Sequence, residues 1–220
     1  SEKEYLDKER IEFITRKYSD HLMYAVNYLN DGKDPEVLNK ASAIWTREKK
    51  DISSEQYEEF YKQIGAGFNK PLLTLHNKVE GTLSYTNLLF IPDSRPFDLF
   101  QMDVKSKIKL YSNRVLISDD SEDILPRWLR FVKGVVDTSD VDLNVSREML
   151  QHNSALNKIS KALKKRVLNE LKKMKDKDTE KYNTFWKEFG IVMKEGIYED
   201  FDLKNEILEI SKFHSMKLNK

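Results

Sequence analysis

Arg147 is the residue of this chain with the most chemistry open to it. It lies in Asn144-Val145-Ser146-Arg147-Glu148, where the short extended piece Leu143-Asn144-Val145 meets a helical pattern. Ser146 suits the N-cap position of that helix. A cation at a helix start works against the helix dipole, so an Arg there reads as aimed at an anion. The plainer reading is a surface Arg paired with Glu148 or another acid. Trp45, followed by Thr46-Arg47, is the second candidate. A Trp beside charge can anchor a partner because it buries a large area and keeps a polar handle, although core packing is its commoner fate.

Other chemistries find no residues to carry them. His21, His76, His152 and His214 are scattered, and none pairs with a further ligand at metal-binding spacing. Gly65-x-Gly67 is too short for a phosphate loop and lacks the following Lys-Ser/Thr. Glu58-Glu59 and Asp119-Asp120 read as solvated surface. Lys158, Lys161, Lys164, Lys165, Arg166, Lys172 and Lys173 crowd one long helix. They come without aromatics, and much of the charge lies opposite an apolar stripe, so they read as the wet side of a packed helix rather than a nucleic-acid groove.

Composition points the same way. The chain has 220 residues, with 38 Lys and Arg against 37 Asp and Glu. Such a balance sets up no field to draw the chain onto nucleic acid or a membrane. A 39% apolar content supports a core. With no Cys, a disulfide framework, a thiolate zinc site and cysteine catalysis are excluded. No stretch approaches the ~18–20 apolar residues of a membrane span. Ser1-Glu2-Lys3-Glu4 is no signal peptide, and the missing initiator Met reads as a piece cut from a longer protein.

The elements that must position these residues follow from periodicity. Helices are predicted over Tyr5–Tyr18 and from the capping box Ser53-x-x-Gln56 to about Ile64, ended by Gly65-Ala66-Gly67. His21–Leu29 reads as a strand, followed by a linker at 30–35. Leu73, Leu75 and Val79 alternate, as do Leu83, Tyr85, Leu89 and Ile91, giving a strand pair around Glu80-Gly81. Ile108–Ile117 reads as a third strand. Leu125, Trp128, Leu129, Val132 and Val135 read as one face of a helix, with Pro126 in its first turn. A long helix should cover about Glu148–Lys175. Thr179–Phe189 and Leu203–Phe213 should be helices separated by a turn near Gly190–Gly196. Early strands and a helical last third make an α/β layer with a helical coda.

Four blocks in order resemble the middle segment of heat shock protein 90 chaperones. They are Ile44-Trp45-Thr46-Arg47; Leu89-Phe90-Ile91-Pro92 with Pro96-Phe97-Asp98-Leu99-Phe100; residues 124–137 from Ile124-Leu125-Pro126-Arg127-Trp128 to Val136-Asp137; and Leu143-Asn144-Val145-Ser146-Arg147-Glu148-Met149-Leu150-Gln151. The short linker resembles the bacterial and mitochondrial types of the family. The resemblance implies an α-β-α layered large subdomain (41–177) followed by a small helical coil (178–220). It implies that 1–20 is the last helix of an ATP-binding domain and 21–40 a strand with a short charged linker. A second α/β subdomain and the C-terminal dimerisation domain are expected to be absent from the sequence.

By the same resemblance, Arg147 is a catalytic arginine that reaches the ATP γ-phosphate, and Gln151 helps hold it. One turn separates them, so both can share a side once the helix has begun. Trp45 matches a Trp associated with client contact. ATP with Mg would be bound mainly by the missing N-terminal domain, and none by this fragment alone. Expected partners are unfolded or partly folded clients, the protein's own N-terminal ATPase domain and co-chaperones, with no nucleic acid and no membrane. The full-length protein would be a homodimer and the fragment a monomer, in the bacterial cytoplasm or, alternatively, the mitochondrial matrix. Asp142 stands where the family often has Pro, and Leu116 where it has Phe. The alternative function is a non-catalytic protein-binding scaffold.

Overall fold

The computed structural model describes residues 7–29, 34–67, 69–101, 104, 106–119, 121, 124–142, 150 and 153–213. Their centre is a five-stranded sheet, in order β3 (Leu73–Val79), β4 (Tyr85–Ile91), β7 (Lys133–Thr138), β5 (Lys107–Ser112) and β6 (Val115–Ser118). Only the β5–β7 pair is parallel. A separate two-stranded ladder joins β1 (Asn27–Tyr28) to β2 (Glu36–Val37).

Both faces of the sheet are covered, as expected for an α-β-α layering. Along β4, Tyr85, Leu89 and Ile91 enter one core, while Leu88 and Phe90 enter the other, following the two-residue period of a strand. The first core is built against α3 (Ser154–Lys177), α4 (Thr179–Glu199) and α5 (Lys204–Ile210). The second is built against α2 (Ser54–Gln63) and the 3-10 turn Ile44–Thr46. Helix α1 (Lys8–Ser19) lies against β6.

Several expectations hold. The Ser53–Gln56 capping box opens α2, and Gly65 follows its end at φ +68°, a conformation that favours glycine. The β3–β4 pair forms as read. Others are corrected. The expected strand 21–29 shrinks to β1. The Asn39 side chain takes the Val26 N–H at 2.8 Å and donates to the Ser19 and Tyr24 carbonyls at 3.2 and 3.0 Å, so a side chain replaces a partner strand. The expected third strand is a hairpin, β5–β6, turning at Asn113-Arg114 with φ +48° and +67°, as a two-residue I′ turn requires. The expected helix through Trp128 and Val135 is a 3-10 turn, Arg127–Leu129, that runs into β7. All six residues of β7 are buried, and a strand covered on both faces loses its alternation.

The helical third is continuous with the sheet layer rather than set apart from it. Phe131, just before β7, stacks on Phe189 of α4 with centroids 4.7 Å apart and meets Phe185 at 5.6 Å. Asp178 both ends α3 and caps α4, accepting the Lys181 N–H at 3.0 Å. Helix α4 passes straight through the turn expected at 190–196. A Cβ on Gly196 would come within 2.7 Å of the Trp128 ring and 2.9 Å of Ile207, so this glycine serves packing, not a turn. The last helix is shorter than read, a 3-10 turn at Phe201–Leu203 leading into α5.

Candidate functional site

Trp45 is fully buried, its ring among Phe60, Tyr111 and His21. Its Nε1–H donates to Asp137 Oδ2 at 2.9 Å. Asp137 belongs to β7 and uses its other oxygen to accept the Arg114 N–H at 3.2 Å. The left-handed turn at 113–114 delivers that amide. His76 Nε2 meets the Trp45 carbonyl at 2.8 Å and Nδ1 meets the Tyr57 hydroxyl at 2.7 Å. The carbonyl can only accept, so Nε2 carries the proton and Nδ1 accepts from Tyr57. Burial pushes the His76 pKa down against the Trp45 carbonyl bond, and His21, bonded to the Ser42 carbonyl at 2.7 Å, is shifted the same way for the same reason.

Trp45, expected to contact clients, has no exposed surface here: its indole packs in the core on the α2 side of the sheet and donates to a buried carboxylate. Leu116, where the family has Phe, is buried in the same cluster.

Arg147 and Gln151 lie outside the described residues, as do Ser146, Leu143-Asn144-Val145, His152 and His214. Both ends of the segment that carries Arg147 are described. It leaves the C-terminal end of the central strand β7 by way of Val141, which is 1% exposed, and returns through Leu150, 4% exposed. Ser112 Oγ, itself fully buried, donates to the Val141 carbonyl at 2.5 Å. Beyond Leu150, Asn153 caps α3, its Oδ1 accepting from Ala155 N at 2.9 Å and Leu156 N at 3.1 Å. The described helix thus has its cap at Asn153, a residue type whose capping preference was readable in the sequence.

Asp137 and Arg130 were missed as organising residues. Arg130 is 3% exposed. It donates from Nε to the Leu99 carbonyl at 2.8 Å and from Nη1 to Arg127 O at 3.0 Å, and it forks onto Glu195 of α4 at 2.5 and 2.9 Å. A charged residue inside the apolar run Leu129-Arg130-Phe131 was the signal, since a buried charge needs a partner. Asp137 gave no such signal, because its partner Trp45 is 92 residues away. Across the loop held by Arg130, Phe97 is fully exposed and Phe100 half exposed. Arg95 of that loop meets Glu188 of α4 at 3.2 Å through its N–H. Among the described residues no group of three His, Cys, Asp or Glu could hold a metal ion, and no helix is long and apolar enough to cross a membrane.

The Hsp90 protein family profile matches residues 28–220. Chaperone protein HtpG of Paramagnetospirillum magneticum is 53% identical over 97% of this chain, which spans 34% of that protein. Chaperone protein HtpG of Rickettsia canadensis is 49% identical over the whole of this chain, which spans 35% of that protein. The chain thus spans about a third of the curated relatives it matches. These relatives are bacterial and lend no support to the mitochondrial alternative. The solved middle domain of a Plasmodium falciparum heat shock protein superposes with a TM-score of 0.69 at 29% identity, covering 78% of this chain and 66% of that one. The buried Trp45 face, the layered sheet and the four sequence blocks converge with these likenesses: the chain belongs to the heat shock protein 90 family and forms a middle segment of it.

Proposed function

We propose that this chain works within a longer ATP-dependent chaperone, where it holds client proteins and lends Arg147 to an ATPase site on the N-terminal domain. The observation that carries this reading is the pair of fixed posts around Arg147. Val141 and Leu150 are both core residues, so the chain between them starts and ends on rigid structure. A guanidinium held this way supplies charge to a phosphate that gains it during transfer, through paired donors a Lys lacks. Gln151, one residue past Leu150, is placed in sequence to steady it. Nucleotide and Mg would be held by the N-terminal domain, and the γ-phosphoryl chemistry is theirs; this chain's part is to orient one cation.

Client contact falls to the exposed apolar side chains rather than to Trp45. Phe97, Phe100 and Ile191 suit it, since all three are exposed, the loop of the two Phe is tied to α4 through Arg95 N–H and Glu188, and Ile191 follows Glu188 by three residues on that helix.

The test is Arg147→Ala in the full-length protein. A group acting mainly in the transition state lowers kcat more than it weakens ATP binding. The expected fall is roughly tenfold, about 1.4 kcal/mol of barrier, with Arg147→Lys recovering only part. Wild-type turnover in Arg147→Ala would leave the scaffold reading in its place.

A further inference from the structure

We infer that Arg130 is a positioning residue for client contact, tying the loop 95–101 to α4 so that Phe97 and Phe100 are presented together with Ile191; the inference rests on the proposed client role of these three side chains. Phe97 is fully exposed and Phe100 half exposed, yet Leu99 between them is 1% exposed and belongs to the core. On a loose loop, apolar rings would sink onto the surface to escape water. This loop is anchored at Leu99, and Arg130 Nε donates to the Leu99 carbonyl at 2.8 Å. The same guanidinium forks onto Glu195 of α4 at 2.5 and 2.9 Å. One buried group thus joins the loop to the helix that carries Ile191.

The surrounding bonds fix both ends of this link. Lys133, buried at the start of β7, donates from Nζ to the Arg130 carbonyl at 3.1 Å. Arg130 Nη1 donates to the Arg127 carbonyl at 3.0 Å. In the loop, Asp98 accepts from Lys107 Nζ of β5 at 3.1 Å, and the Arg95 N–H donates to Glu188 of α4 at 3.2 Å. Glu188, Ile191 and Glu195 follow one another at spacings of three and four, so they share one side of α4. The loop is therefore tied to that side directly at Glu188 and through Arg130 at Glu195. Stability alone does not call for this arrangement, since apolar residues of like volume commonly replace a buried ion pair without loss. What apolar residues lack is direction. A patch ordered before its partner arrives spares the complex the cost of ordering it.

The experiment measures how tightly the full-length protein binds a fluorescent, permanently unfolded polypeptide, reduced and carboxymethylated α-lactalbumin, and follows amide hydrogen exchange in the same variants. Arg130→Ala would leave a hole in the core, so the decision rests on Glu195. Glu195→Ala, which frees the guanidinium from α4, should weaken binding about fivefold. It should speed exchange at 95–101 and leave β4 and β7 as they are. Glu195→Gln, which still accepts from Arg130, should stay within about twofold of wild type. Phe97→Ala/Phe100→Ala should weaken binding about tenfold. Adding Glu195→Ala to that pair should cost nothing more, because Arg130 acts only by presenting the rings. Wild-type affinity in Glu195→Ala beside a weakened Phe97→Ala/Phe100→Ala would overturn the inference and leave the client contact standing. So would a Gln variant as weak as Ala, losses that multiply in the triple variant, or faster exchange throughout the sheet, which would mark a general loss of structure. Wild-type affinity in Phe97→Ala/Phe100→Ala would remove the proposed client contact, and this inference with it.

Discussion

The two faces of the sheet are held together by different means. On the α3–α5 face the core is largely apolar, with Phe131, Phe185 and Phe189 in mutual ring contact and leucines along α3, while Arg130 forked onto Glu195 and the Tyr182 hydroxyl bonded to the Ile210 carbonyl add polar links beside it. Its one buried indole N–H, that of Trp128, has no hydrogen-bond partner among the described residues. On the opposite face Trp45, Asp137, His76 and Tyr57 are bonded in series. One face gains stability from area removed from water, which is insensitive to direction. The other gains specificity from bonds that hold only in one geometry. The bonded face also shares Asp137 with the turn Asn113-Arg114 that follows Ser112, so that turn is tied to the directional side of the molecule.

The largest effect should come from breaking the apolar face. Phe131→Ala removes a ring stacked on Phe189 and should destabilise the fold by ~3–5 kcal/mol, measured by urea unfolding. The next experiment sharpens the contrast between the faces. Trp45→Phe and Trp128→Phe delete the same atoms from two fully buried sites, but only the first strips a partner from a carboxylate. Trp45→Phe should cost about 1–2 kcal/mol more than Trp128→Phe. Equal losses would mean that the Trp45–Asp137 bond contributes no more than its volume.

The smallest effect is the response to pH. His76 and His21 have folded pKa values below the usual 6.5, because burial disfavours the imidazolium. As pH falls through 6.5 the unfolded chain takes up protons that the folded chain refuses, so stability is full above that value and lost below it. The melting temperature should fall between pH 7 and 5, before the carboxylates titrate. His76→Gln, which can still donate to the Trp45 carbonyl, should flatten part of that fall. A melting temperature independent of pH in this window would deny the bonded face its neutral imidazoles.

Local signals carried much of this fold. The Ser53–Gln56 box, the β3–β4 alternation and the apolar stripe of α3 each appear as read, because each is decided by near neighbours. The misreadings share a cause in contacts far away along the chain. Residues 128–136 have apolar side chains at both helical and continuous spacing, and only burial on two sides makes a strand of the last four. Gly196 looked like a turn because the ring it accommodates, Trp128, is 68 residues away. For the site, the family blocks pointed to Arg147 and Gln151, and nothing in the sequence pointed to the Asp137 bond beneath Trp45. Arg130 was legible in principle, as a charge embedded among apolar residues.

The place of β7 in the sheet has a consequence for synthesis on the ribosome. The hairpins β3–β4 and β5–β6 can each close as soon as they emerge, since their partners are neighbours in sequence. They cannot join one another, because the strand between them is made last, its Thr138 pairing back to Tyr85 and its Lys133 to Lys107. Until then Leu88, Phe90, Ile108 and Leu110 sit on two unfinished edges. At ~5–20 residues per second the stretch from Ser118 to Thr138 takes on the order of one to four seconds. During that interval the nascent chain presents open strands of the kind that other chains pair with: a component of a chaperone passes through a state that itself calls for protection.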